Sequence, residues 1–232
     1  MIRVKQVSKR FRDRLVLDKV NLEVPDSKVI VILGPSGIGK TVMLHVMAGL
    51  LRPDHGSVSY DGLPLRFGAF ADNRPILVQL GYVFQNGALF DSMDVAENVA
   101  LPLKENSRLE DSEMKKRVKR TLERVGMAGH EALSPHALSG GMIKLVAIAR
   151  ALVSGPHYVF YDEPTSGLDP LMRERICNLI KSLRDREGKT GVVVTHDLEA
   201  AEAVANKIYM LKDGRLSTMG QARKEDYEET HS

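Results

Sequence analysis

The chain has one cysteine and no tryptophan in 232 residues, and aromatic side chains make up only 5% of it. A single thiol, Cys177, excludes an intrachain disulfide and a cysteine-ligated metal centre, and it fits a reducing compartment. Its setting reads as the buried face of a helix. Long apolar runs are also missing. The longest, such as Val29 to Leu33, fall far short of the ~20 residues that a bilayer-spanning helix needs. No charged-then-apolar leader opens the sequence, because Met1-Ile2-Arg3-Val4-Lys5 alternates like a strand. Lys and Arg form no block interleaved with aromatics and the formal net charge is only +3, so no nucleic-acid partner is expected. A protein of this kind that works on a membrane is held there by a partner.

What is present describes a globular α/β protein, with 43% hydrophobic and 27% charged residues and no internal repeat. Residues 2–7 and 15–24 read as alternating strands joined by a polar turn. Val29 to Leu33 is a short β-branched run, the pattern of a strand buried on both faces. A glycine-rich loop follows, then a helix from about Lys40 to Leu51 ended by Arg52-Pro53-Asp54. Residues 57–60 and 80–84 read as further strands, the first followed by an Asp61-Gly62 turn. From about Val95 to Leu152 the pattern is helical, with the charges between Lys104 and Arg124 as a solvated face. Tyr158 to Tyr161 and Gly191 to Thr195 return to buried strands. Asp169-Pro170 starts a helix with Asp as N-cap. A hairpin turns about Asp213-Gly214, and the final polar residues are expected to fray. The fold class is therefore α/β, a doubly wound core with a mainly parallel sheet, an N-terminal antiparallel part and an inserted α-helical subdomain. A single domain is expected, with a core of 1–90 and 156–232 and a helical subdomain of about 91–155.

Chemistry concentrates in a few segments. Gly34-Pro35-Ser36-Gly37-Ile38-Gly39-Lys40-Thr41-Val42 is a phosphate-binding loop in its required context, between a buried strand and a helix. Its backbone N–H groups and the positive end of the helix suit a triphosphate. Lys40 is placed to reach the β- and γ-phosphates, and Thr41 to offer its hydroxyl to Mg²⁺. Asp162 and Glu163 end a buried strand at the ligand edge of the sheet, Asp162 as metal-binding carboxylate and Glu163 as the base that activates water. His196 follows another buried strand, where contact with the γ-phosphate or attacking water is favoured. Gln85 ends the 80–84 strand, and its amide suits Mg²⁺ and water, although alone it is unremarkable. Ser139-Gly140-Gly141 opens a second helix with bare donors. One nucleotide pocket does not need two such loops, whereas two facing copies of the chain do. Phe11 is either an adenine-stacking ring or part of the core.

These segments, in this order, resemble the ATP-binding subunits of ABC transporters along essentially the whole chain. Gly34 to Thr41 resembles the Walker A motif, Gln85 the Q-loop and Leu138 to Met142 the signature motif. Tyr158 to Glu163 is similar to the Walker B strand with its glutamate, Ser166 to Asp169 to the D-loop, and His196 to the switch histidine. The resemblance implies a P-loop NTPase (RecA-like) core, ATP and Mg²⁺ as ligands with Asp169 among the nucleotide-binding residues, and a head-to-tail homodimer in which Ser139 and Gly141 serve the partner chain's ATP. It also implies a permease docked near the Q-loop and a position on the cytoplasmic face of the inner membrane. Met142, where most of the family has glutamine, and the stretches Asn86 to Met93 and Glu97 to Leu103 look like the Mla/Mce branch. That branch drives phospholipid or other lipid transport with a permease and an MCE-domain protein. An importer ATPase for a small solute would share every catalytic residue. A soluble ABC ATPase of DNA repair or translation usually carries a long coiled coil or two ATPase domains. A kinase or GTPase would not need Leu138 to Met142, and the guanine-reading Asn-Lys-x-Asp run is absent.

Overall fold

Strand β3 (Val29–Leu33) explains the architecture, because its alternating side chains feed two separate cores. Val29, Val31 and Leu33 join one hydrophobic cluster, while Ile30 and Ile32 join the other. The same division recurs in β7 (Tyr158–Asp162) and β8 (Thr190–Thr195), where Val159, Tyr161 and Val193 face one core and Tyr158, Phe160, Val192 and Val194 the other. A parallel sheet covered on both faces demands such continuous apolar strands. In the computed structural model, which describes residues 1–69, 71–106 and 109–219, β3 lies between β8 and β9 (Lys207–Lys212). Beyond β8 come β7 and β6 (Leu80–Val83), all parallel, and β10 (Arg215–Thr218) closes the other edge antiparallel to β9. The expected fraying of the final residues lies outside the described part.

One face of this sheet carries α1 (Lys40–Met47) and a second, antiparallel sheet. That sheet has the order β2-β1-β4-β5, from β1 (Ile2–Phe11), β2 (Arg14–Val24), β4 (His55–Tyr60) and β5 (Leu63–Pro64). The other face carries α6 (Pro170–Glu187), α7 (Leu198–Val204) and the helical part, α3 (Val95–Asn106), α4 (Asp111–Val125) and α5 (Gly140–Leu152). The short α2 (Arg74–Leu77) precedes β6. On α4, Val118, Thr121, Leu122 and Val125 are buried at helical spacing, and the intervening charges face solvent. Asp94 and Glu97 form a capping box at the start of α3, each carboxylate accepting the other's backbone N–H. Asn98, fully buried, binds the chain before α3 through the backbone of Phe90, Met93 and Asp94.

Several boundaries differ from the sequence reading, three of them by more than a shift at a strand end or with a bearing on the site. Helix α1 stops at Met47, short of Leu51, because Gly49 at φ +76° closes it in a Schellman turn. There Gly49 N–H reaches Val46 O and Leu50 N–H reaches His45 O. The first hairpin is longer than expected, since register shifts between Val4 and Val7 and between Val7 and Lys9 break the simple alternation. Strand β6 ends at Val83, so Gln85 lies just past it.

Gly81 lets β6 lie against α5: an added Cβ would sit 2.4 Å from Ala151 O and 3.1 Å from Pro156 Cγ. Gly81→Ala is therefore expected to destabilise the fold by about 1–3 kcal/mol, as overpacking does. Urea unfolding should show it as a lower midpoint at unchanged slope.

Candidate active site

Strands β3, β8, β7 and β6 are neighbours and run parallel, so the segments that follow them emerge on one edge of the sheet. Those segments contain Gly34 to Val42, Thr195-His196, Asp162-Glu163 and Gln85. After β3 the chain passes so close to β9 that a Cβ on Gly34 would lie 2.9 Å from Leu211 O. At Gly39, φ is +119° and a Cβ would fall 2.5 Å from Val16 Cγ1. Only glycine fits both restraints there. Pro35, Ser36 and Gly37 are exposed, whereas Ile38 and Val42 pack against the core beneath. No side chain caps α1, which leaves its first N–H groups to an anion. The Arg14 guanidinium donates to Gly37 O at 3.1 Å, tying the β1–β2 hairpin to this loop. Phe11 pairs in register with Arg14 and is 44% exposed, so its ring is not core.

Lys40 is buried. Its ammonium donates to Gly34 O (2.7 Å) and Pro35 O (3.1 Å) and lies 3.1 Å from Glu163 Oε1. The other carboxylate oxygen of Glu163 faces His196 Nδ1 at 2.9 Å and accepts from the Thr195 hydroxyl at 3.2 Å. The backbone of Glu163 adopts φ +47°, a left-handed conformation rare for a residue with a side chain. Two anchors hold that peptide: its N–H donates to Val194 O at 2.9 Å, and its carbonyl accepts from Lys144 Nζ at 2.9 Å. Lys144 also donates to Gln85 O. The Gln85 residue is exposed.

Thr41 Oγ1 donates to Asp162 Oδ1 at 3.0 Å, and the Tyr82 hydroxyl reaches Oδ2 at 3.4 Å. Burial pushes the Asp162 carboxyl above its ordinary range, with help from the Glu163 charge. The Thr41 hydrogen bond and the field of His45 act against it. Burial likewise raises the Tyr82 phenol, which keeps it a donor. A buried carboxylate beside a hydroxyl is a hard oxygen pair of the kind that takes Mg²⁺. Among the described residues no three His, Cys, Asp or Glu side chains converge on a metal.

Ser139 caps α5 through its hydroxyl, which accepts from Met142 N–H at 3.3 Å, and both Ser139 and Gly140 are exposed. Gly141 is required within the chain itself, since a Cβ there would meet Met172 Cγ at 2.6 Å. Asp169 is exposed and caps α6 by accepting from Met172 N–H at 3.0 Å. Sequence reasoning missed Lys144, Arg150 and Tyr82. The available signal was two cations, Lys144 and Arg150, inside an otherwise apolar helix.

A family model described as "ABC transporter" matches residues 17–166. The chain belongs to the ABC transporter family. It is 36% identical over 95% of its length, and 83% of the relative's, to the intermembrane phospholipid transport system ATP-binding protein MlaF of Haemophilus influenzae. The Escherichia coli K12 protein of the same name is 35% identical over 96% of this chain and 83% of its own. Among solved structures it superposes on the dimeric bacterial ABC transporter cassette MJ0796 with a TM-score of 0.87 at 34% identity, covering 94% of this chain and 97% of that one. MJ0796 in a post-hydrolysis dimer bound to ADP and Pi gives a TM-score of 0.86. This ABC cassette is thus an ATPase, and ATP is its nucleotide.

The raised pKa of Asp162 means that folding favours the protonated carboxyl. That stability is complete below the ordinary aspartate range and is lost as pH rises through the raised value. Asp162→Asn is expected to raise the thermal midpoint of the nucleotide-free protein at neutral pH. The gain should vanish on acidification, which calorimetry across pH checks.

Proposed function

We propose that the chain powers lipid transport as one half of an ATP-dependent homodimer seated on a membrane permease. The supporting observation is the constellation of buried Lys40, Glu163 and Asp162 with the exposed His196 at one sheet edge, beside an open phosphate loop. Lys40 and the loop N–H groups of Gly34 to Val42 bind the phosphates, and Phe11 offers its exposed ring to adenine. Glu163 takes the proton of the attacking water, and His196 holds the carboxylate from its other side. Thr41, Asp162 and the Gln85 amide would hold Mg²⁺, which supplies charge neutralisation at the phosphates when bound. Ser139, Gly140 and Asp169 remain exposed at the chain's own surface, as groups serving a second copy's nucleotide would be, while Gly141 is buried behind them.

A groove of about 550 Å³ runs between β6, α3 and α5, lined by Tyr82, Phe84, Phe90, Leu101, Leu103 and Arg150. Phe84 and Phe90 leave large apolar surface exposed on either side of the loop that starts at Gln85. This groove is our candidate seat for the permease. No helix among the described residues is long and apolar enough to cross a membrane, so the permease would hold the chain at the cytoplasmic face of the inner membrane. Similarity to MlaF along almost the whole chain supports a phospholipid cargo and an MCE-domain protein as the third component. A Mycobacterium tuberculosis relative, 38% identical over 94% of this chain and 61% of its own, is called a probable ribonucleotide transport ATP-binding protein. That supports a small-solute cargo as the second reading.

Affinity purification from detergent-solubilised native membranes tests the proposal. A multi-span permease with an MCE-domain protein and bound phospholipid supports it. A different binding protein moves the cargo, and a preparation with no membrane protein overturns it. Two substitutions test the chemistry. Glu163→Gln is expected to lower turnover about 10²–10⁴-fold, the usual worth of a general base, while ATP stays bound and dimers accumulate in gel filtration. Ser139→Arg should abolish ATPase turnover while each chain still binds nucleotide by fluorescence titration; unchanged turnover would rule out a composite site.

A further inference from the structure

Lys144 is a cation that the proposed chemistry does not use. It is 7% exposed, and it sits four residues after the exposed N-terminus of α5 formed by Ser139 and Gly140. Its ammonium bonds two carbonyls on different segments, those of Gln85 and Glu163. Burying a charge is unfavourable, and a methionine of similar length would fill the same space in a helix that is otherwise apolar. The charge therefore has to be explained by what it touches.

Two further observations give the contact a direction. The Glu163 peptide is held in a left-handed conformation, so the direction of its carbonyl and the aim of its side chain are set together. Its N–H is anchored on β8 and its carbonyl on α5, through the two peptide units that flank its Cα, so movement of α5 against the sheet rotates the backbone at Glu163. At the far end of α5, Arg150 donates to Gly87 O and Ala88 O, both at 2.6 Å. The loop 85–88 is thereby bound to α5 at both ends.

We propose that Lys144 is a positioning residue that couples α5 to the backbone of Glu163. A nucleotide held by Ser139–Gly141 of one copy is then sensed by the base of that same copy's own site. The proposal rests on the homodimer reading, in which the start of α5 serves the partner's ATP. It makes hydrolysis at the two sites interdependent through one side chain.

The test uses the purified full chain, with initial ATPase rates measured against ATP concentration. Lys144→Met is expected to lower the maximal rate about tenfold. The Hill coefficient should fall from near 2 toward about 1. The dissociation constant for ADP should move by less than about twofold. Lys144→Arg, which keeps a cation of similar reach, should restore most of the cooperativity. A Hill coefficient unchanged by Lys144→Met overturns the proposal whatever happens to the rate, because a merely structural lysine would lower the rate alone. If Lys144→Met does not fold, Lys144→Gln is read in its place, and retained cooperativity there with the rate of the natural chain is equally fatal. ATP-driven dimerisation of Glu163→Gln, followed by light scattering, separates the two ideas. Failure to dimerise there removes the homodimer and the coupling together, whereas dimerisation with unchanged cooperativity in Lys144→Met removes the coupling only.

Discussion

Two opposite charges, Lys40 Nζ and Glu163 Oε1, lie buried 3.1 Å apart where β3 and β7 deliver their loops to the sheet edge. Neither charge can leave water unpaired without a large desolvation penalty, so each fixes the other. Lys40 in turn holds the carbonyls of Gly34 and Pro35, and Glu163 holds Thr195 and His196. One ion pair thus registers the segments after β3, β7 and β8 against one another. An incoming triphosphate presents the same sign of charge as the carboxylate. In the proposed reaction it would compete with Glu163 for the lysine and free the carboxylate toward water.

Around that pair the molecule accepts local instability in exchange for readiness. Asp162 is buried beside the Thr41 hydroxyl, and burial and the Glu163 charge push its carboxyl up. Glu163 occupies a backbone conformation that a residue with a side chain seldom adopts. The remainder of the fold offsets these costs with two cores that share the strands of one sheet. Strain and buried charge concentrate at the edge where chemistry occurs, and the apolar alternation behind it is regular.

Much of this was legible in the residues. The β-branched runs at Val29 to Leu33 and Gly191 to Thr195 identify two-faced strands, and Asp169-Pro170 marks the start of α6, because local pattern and tertiary position agree there. The end of α1 was misread because Arg52-Pro53 is a conspicuous stop, whereas Gly49 ends the helix first through a left-handed turn. The β1–β2 hairpin was underestimated because bulges disturb the two-residue period on which a strand assignment relies. In the site, residue types at strand ends pointed to Lys40, Asp162, Glu163 and His196. Their mutual contacts are long-range and carry no local spacing, so neither the Lys40–Glu163 pair nor the reach of Lys144 was visible. For Phe11 the fold settles only that the ring lies outside the core.

Cys177 has a practical consequence. It is the only thiol in the sequence, it is 4% exposed on the inner face of α6, and burial raises its pKa, which suppresses the reactive thiolate. The native surface is therefore silent to maleimide chemistry. A single cysteine introduced on the open face of α4 would carry a spin label or fluorophore without removing any natural residue from the core. Distances between two such labels would follow the paired chains through a catalytic cycle in otherwise unaltered protein.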